Sequence, residues 1–148
     1  MLNQLLITLY HRDLNKLKEE LNAYGDEAKI WSVQDGISNS AGNLTLHLIG
    51  NLNHFIGATL GDTGYVRERD KEFALKNIPR HELLRSIDNT IEMIQKTLDG
   101  LTEADLDKDF PISVTPGDKS TRFFLLHLVA HLNYHLGQIN YHRRFLDV

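Results

Sequence analysis

The sequence predicts an all-α protein, folded as an antiparallel four-helix bundle. Three observations carry this expectation. Apolar residues recur at helical intervals in four long windows, residues suited to helix starts precede the later windows, and strand signals are lacking throughout.

The first helix runs from about Leu2 to Leu21, where Leu2, Leu5, Leu6, Leu9, Leu14, Leu17 and Leu21 keep helical spacing and Lys16, Lys18, Glu19 and Glu20 take other faces. Gly25 interrupts it, and a loop follows through Ile30, Trp31 and Gly36. Trp31, the single tryptophan, is expected to plug the core, because its ring can bury so much apolar area. Ser38, Asn39 and Ser40 can cap a second helix from about Ala41 to Leu60, with Leu44, Leu48, Leu52 and Phe55 on one face and His47, Asn51 and His54 on another. Gly61 and Gly64 open a stretch of mixed charge from Tyr65 to Phe73. It reads either as a solvated loop with local ion pairs or as a site mouth or subunit contact. Pro79 starts a third helix, Arg80 to Leu98, on Leu83, Leu84, Ile87, Ile91, Ile94 and Leu98. A connection from Gly100 to Lys119 holds one short helical turn at Thr102 to Leu106. Ser120 or Thr121 then caps the fourth helix, which runs to about Phe145.

Composition narrows the function classes. A chain of 148 residues has the size of one domain, taken here as residues 1–148. The formal charge of −4 supplies no basic excess for phosphates, which argues against nucleic acid as a partner. No stretch approaches the roughly 20 apolar residues that span a bilayer, and a leader pattern is lacking, so a cytoplasmic protein without a membrane partner is expected. The chain has no cysteine, so metal ligands must come from His, Asp or Glu.

The histidines are the chemistry-bearing feature. His127, His131 and His135 stand at four-residue intervals in HLVAHLNYHLGQ, so neighbouring imidazoles share one helix face. Their ladder spans eight residues, about 12 Å of helix, so only two of them reach one ion. His131 and His135 are the favoured pair, since Gly137 and Gln138 beyond them allow close approach and an amide contact. A third nitrogen from helix two, from His47 or His54, would complete a three-histidine site with open positions for water or substrate. His11, His81 and His142 read as core or surface residues without a role.

The segments HLIGNLNHFIGATLGDTGYVRERDKEF and HLVAHLNYHLGQINYHRR resemble the DinB/YfiT-like superfamily of small four-helix metalloproteins, over nearly the whole chain. The family pattern is one histidine on the second helix and a pair on the last, the second of the pair preceding Gly-Gln. The resemblance therefore implies His47, His131 and His135 as ligands. Leu136 departs from it, standing where a basic residue often precedes the Gly-Gln. Members of known activity are similar to thiol-dependent transferases and isomerases, whose metal holds a low-molecular-weight thiol as thiolate.

The expected function is accordingly a metal-dependent transferase that adds such a thiol to electrophilic small molecules, in detoxification or stress response. Asn51, His54 and His127 are candidates to contact cofactor or substrate, and Gln138 to hold a ligand in place. Alternatives are a metal-dependent hydrolase, disfavoured because no carboxylate base accompanies the triad, and a non-catalytic metal-binding stress-response protein. Zinc and nickel head the expected ions, with iron and cobalt behind. A homodimer is expected, because relatives of the resembled bundle often pair.

Overall fold

The computed structural model describes residues 1–112 and 116–148. Residues 113–115, in the expected connection between Gly100 and Lys119, lie outside the described residues. Among the described residues the regular structure is helical, with two isolated β-bridges, Gln34 with Ile37 and Asp109 with Ser120. Helix α1 spans Leu2–Asn22, and a 3₁₀ turn follows at Glu27–Trp31. Helix α2 spans Ala41–Leu52 and runs on through a π-helical segment, Asn53–Ala58, into a last α turn, Thr59–Gly61. Then come α3 (Arg69–Ala74), α4 (Arg80–Asp99), α5 (Glu103–Asp107) and α6 (Thr121–Leu146).

The expected helix starts are made by the residues suited to them. Ser40 accepts from the Asn43 amide, Ser120 from the Phe123 amide, and Thr102 and Asp105 form a reciprocal capping box, so backbone donors that lack a helical partner are satisfied. Asp62, in the left-handed region at φ 49°, ends the α2 run.

Helix α1 packs on α4 and α6, and α2 packs on α3, α4 and α6. Between them Leu6, Leu17, Leu48, Leu52, Ile87 and Leu132 are fully buried. Each such side chain contributes roughly 1.5–3 kcal/mol relative to an exposed one. The α1–α6 contact also carries a polar seam: Asn133 donates to Asp13, Asn140 and Arg143 donate to Glu20, and the Tyr10 hydroxyl donates to the Leu125 carbonyl at 2.7 Å. Trp31 is in the core as expected, seated where Gly42 lacks a side chain; a Cβ there would come within 2.6 Å of the indole.

Two expectations need correction. The second helix does not stay α-helical to Leu60, since six residues beginning at Asn53 wind as π-helix. The stretch after Gly64 is not all loop, because α3 forms in it. Its six residues are too few and too charged for periodicity to reveal a helix, and tertiary contacts hold it instead. The Asn43 amide on α2 donates to the carbonyls of Glu72 and Leu75, and the Glu72 side chain is buried. These bonds place α3 against the middle of α2, beside His47.

Candidate metal centre

His47 extends from the buried side of α2, and His131 and His135 from successive turns of α6. Their ε nitrogens converge: His47 Nε2 lies 3.2 Å from His131 Nε2, and His135 Nε2 lies 3.1 Å from His131 Nε2. One ligand atom from each of the three lies within 4.8 Å of the others, and no other such group of His, Asp or Glu occurs among the described residues.

The far side of two rings is held. Glu72 Oε1 meets His47 Nδ1 at 3.0 Å, and Glu72 also accepts from Arg67 Nε at 2.9 Å and from Arg67 Nη2 at 3.0 Å. With the Arg67 guanidinium donating to both of its oxygens, the Glu72 carboxylate acts as the acceptor, so His47 donates from Nδ1 to it and keeps a lone pair on Nε2. Arg67 offsets the buried negative charge. Gly50 makes the arrangement possible, since a Cβ at that position would overlap the Glu72 carboxylate. On α6, Gln138 Oε1 stands 2.7 Å from His135 Nδ1 and accepts a hydrogen bond from it.

These contacts leave His131 between two lone pairs. Its Nε2 can donate to one neighbour at most, and its Nδ1 is buried without a partner. Protonating the ring offers no remedy: burial, then the neighbouring His135 and His47, bring its pKa from 6.5 down to about 4. Burial also lowers His47, against the opposing pull of Glu72. His131 is therefore uncharged at neutral pH, and the converging ε nitrogens offer lone pairs to whatever stands between them.

A cation suits that donor set. Nitrogens bonded to one ion at about 2.0–2.1 Å, at angles between octahedral and tetrahedral, lie roughly 2.9–3.3 Å apart, and both separations involving His131 fall in this window. Three imidazoles would hold a divalent transition metal and leave positions on it for other ligands. Carboxylate and amide oxygens on the ligands' second nitrogens are the usual means of fixing tautomer and ring orientation.

The other candidates lie outside the convergence. His127 is exposed and stacks on Phe124 at 5.8 Å. His54 lies in the π-helical segment, and burial lowers its pKa. Asn51 is 7% exposed, and its buried Oδ1 has no partner. His81 is exposed, and His142 is a bonded core residue, donating from Nε2 to the Ser32 carbonyl and accepting at Nδ1 from the Tyr24 hydroxyl.

Sequence reasoning missed Arg67, Glu72 and Gly50. It expected no carboxylate base beside the helix-four histidines; Glu72 is a carboxylate near the site, but it stands on the Nδ1 side of His47 and is engaged by Arg67. The signals were present: a charged stretch reading partly as a site mouth, and a glycine inside a helical window next to a candidate ligand.

Residues 6–147 match the family model described as protein of unknown function (DUF1572). The chain belongs to this family. The three histidines and their supports Arg67, Glu72 and Gln138 all lie inside the DUF1572 match. No curated protein matches the chain. Among the described residues, no helix is long and apolar enough to cross a membrane.

Proposed function

We propose that the DUF1572 chain is a DinB/YfiT-like four-helix bundle and a metal-dependent transferase, joining a low-molecular-weight thiol to an electrophilic small molecule. The observation behind this reading is the convergence of three imidazoles on one point, two of them held at Nδ1 by acceptors that leave Nε2 free. His47, His131 and His135 would hold the ion, with zinc or nickel the leading choices and iron or cobalt behind. When bound, such an ion acts as a Lewis acid that favours the deprotonated form of a thiol near neutral pH.

The chain's own residues have assigned tasks in this reading. Glu72 and Gln138 hold two imidazoles in orientation, and Arg67 pairs with the Glu72 carboxylate and fixes its position. Asn51, His54 and His127 are candidates for contact with thiol or substrate. In the transfer, the thiol sulfur gives up its proton to solvent and forms a bond to the electrophilic carbon, whose leaving group departs with the bonding pair. A hydrolase is less well supported, since the nearby carboxylate is engaged by Arg67 and His47 on the side away from the converging nitrogens. A closed structural site is also less well supported, because structural zinc generally takes four protein ligands. The proposed setting is cytoplasmic detoxification or stress response.

The test has two stages. Metal analysis of protein purified without added metal is expected to give about one transition-metal ion per chain, lost in His131→Ala and in His135→Ala. The loaded protein is then incubated with a small thiol and an alkyl halide, and thiol consumption is followed. Metal binding without turnover across a panel of thiols and electrophiles would exclude the transferase and leave a non-catalytic metal protein.

A further inference from the structure

Among the described residues, four buried side-chain atoms have no hydrogen-bond partner: Asn3 Oδ1 and His11 Nε2 on α1, and Asn51 Oδ1 and His131 Nδ1 on the two helices that carry the converging histidines. Buried polar atoms are generally paired, because leaving one unpaired is costly. The second two are complementary. An amide oxygen only accepts. A neutral imidazole carries one proton, and when Nε2 gives its lone pair to an ion that proton stands on Nδ1, which then only donates.

The register of the helices brings the two together. Helices α2 and α6 run antiparallel, with His47 Nε2 3.2 Å from His131 Nε2 and the Phe55 ring 5.1 Å from that of Phe124. Asn51 lies one turn from His47 in the direction of Phe55, and so stands opposite the turn between His131 and Phe124. Side chains on a helix lean toward its N-terminus. On α2 that direction carries Asn51 back toward His47, and on α6 it carries His131 toward the turn that Asn51 faces. Asn51 is also the covered one of the three polar residues beside the triad. It is 7% exposed, whereas His54 is half-buried and His127 is exposed. Such a side chain suits a fixed support better than contact with an incoming substrate.

The other two ligands show what His131 lacks. His47 Nδ1 has Glu72 Oε1 at 3.0 Å, and His135 Nδ1 has Gln138 Oε1 at 2.7 Å. Each has an oxygen acceptor on the nitrogen that does not converge, the usual means of fixing a metal-bound imidazole. We propose that Asn51 is the positioning residue for His131: its Oδ1 accepts from His131 Nδ1, directly or through one bridging water, once Nε2 is engaged by an ion. The inference rests on the metal centre described above and is independent of the transferase chemistry. All three imidazoles then have an oxygen behind them, from Glu72 on α3, Gln138 on α6 and Asn51 on α2. Two of these contacts stand in the metal-free chain, and the third closes on loading.

The metal-free and loaded proteins therefore differ in what they need at position 51, and this difference is the test. Zinc affinity by chelator competition and the melting temperature of the metal-free protein are measured for wild type, Asn51→Leu and Asn51→Asp. Leucine keeps the size and removes the acceptor. Metal-free Asn51→Leu is expected to melt at the wild-type temperature or above it, because an unpaired buried amide has been removed, while its zinc affinity falls about 10–100-fold. A packing role would move both in the same direction. Asn51→Asp keeps an oxygen in place and is expected to bind zinc at least as tightly as wild type. In zinc-loaded wild type, long-range proton–nitrogen spectra should show His131 protonated at Nδ1, with that proton exchanging more slowly with solvent than in Asn51→Leu. Wild type that takes up no zinc overturns the metal reading and this inference with it. Wild type that binds zinc overturns the inference alone in either of two cases: Asn51→Leu binds as tightly or loses stability together with affinity, or Asn51→Asp loses affinity as Asn51→Leu does.

Discussion

His131 and His142 lie eleven residues apart on the same helix and meet opposite surroundings. At His142 the chain supplies a partner for each ring nitrogen: the Tyr24 hydroxyl at 2.6 Å and the Ser32 carbonyl at 2.8 Å. At His131 it supplies none for Nδ1, and offers Nε2 two other imidazole nitrogens at 3.1 and 3.2 Å. Buried polar groups in folded proteins are generally paired. A histidine that satisfies the rule within the chain is part of the core, while a set that breaks it together points to a group from outside. The same contrast extends one shell outward, where Glu72 and Gln138 orient rings toward the unsatisfied point and nothing comparable surrounds His142.

The strongest way to break this comparison is to delete each histidine in turn. His131→Ala is expected to abolish stoichiometric metal binding and, in metal-free protein, to cost little stability, since it removes an unpaired buried ring. His142→Ala should do the reverse: retain the metal, and lower unfolding free energy in urea by about 2–4 kcal/mol through a cavity and an unpaired Tyr24 hydroxyl. Metal loss in His142→Ala but not in His131→Ala would invert the assignment.

Changes behind the ligands come next. Glu72→Gln keeps the shape of the side chain but removes the charge that fixes the His47 tautomer, so metal affinity should fall about 10–100-fold with the ligands intact. Gly50→Ala sharpens the point. At an unconstrained helix position this exchange gains up to about 1 kcal/mol. Here the new methyl would displace the Glu72 carboxylate, so both stability and metal affinity are expected to fall. Competition titration with a chromophoric chelator measures both effects, and unchanged affinity in both variants would show that Glu72 has no part in holding the ion.

How much of this was legible beforehand differs between the two regions for a physical reason. The long helices announce themselves because each buries one face, so Leu83 to Leu98 and Leu2 to Leu21 carry a period that needs no tertiary information. The histidine pair on α6 is legible for the same reason, since four-residue spacing is a property of one helix. The supports are not. Glu72 reaches His47 across twenty-five residues, by way of a six-residue helix held by Asn43, and neither the ion pair nor the close approach at Gly50 leaves a periodic trace. The π-helical turn at Asn53–Ala58 is equally silent, because the same residues would suit an α-helix. His142 illustrates the opposite limit: with Tyr24 just beyond the end of α1 and Ser32 in a loop as partners, its core role follows from the fold alone.

A smaller effect tests the structural half of the comparison. Tyr24→Phe removes the donor to His142 Nδ1 and keeps the ring, so it should destabilise by about 1–2 kcal/mol in urea while metal affinity stays put. A shift in metal affinity would mean that the two regions are coupled along α6.

The smallest expected effect is on pH dependence. Burial lowers the His142 pKa below 6.5, against the hydrogen bond to Ser32. In the unfolded chain the ring titrates near its ordinary value of about 6.5, so between that value and the lowered one the unfolded state binds more proton than the folded state. Stability is then complete above about pH 6.5 and declines as pH falls through this window, by at most about 1.4 kcal/mol per pH unit for one proton. His131 and His47 are lowered as well and act in the same direction. The share of His142 is therefore read as a difference: urea unfolding at pH 7.5 and 5.5, in a His131→Ala background without metal, with and without His142→Gln. The glutamine variant should be less stable at pH 7.5 and show the shallower decline toward pH 5.5. An equal decline in both would mean that His142 takes up its proton as readily in the folded core as in water, which a ring accepting from Tyr24 and donating to Ser32 has no position to do.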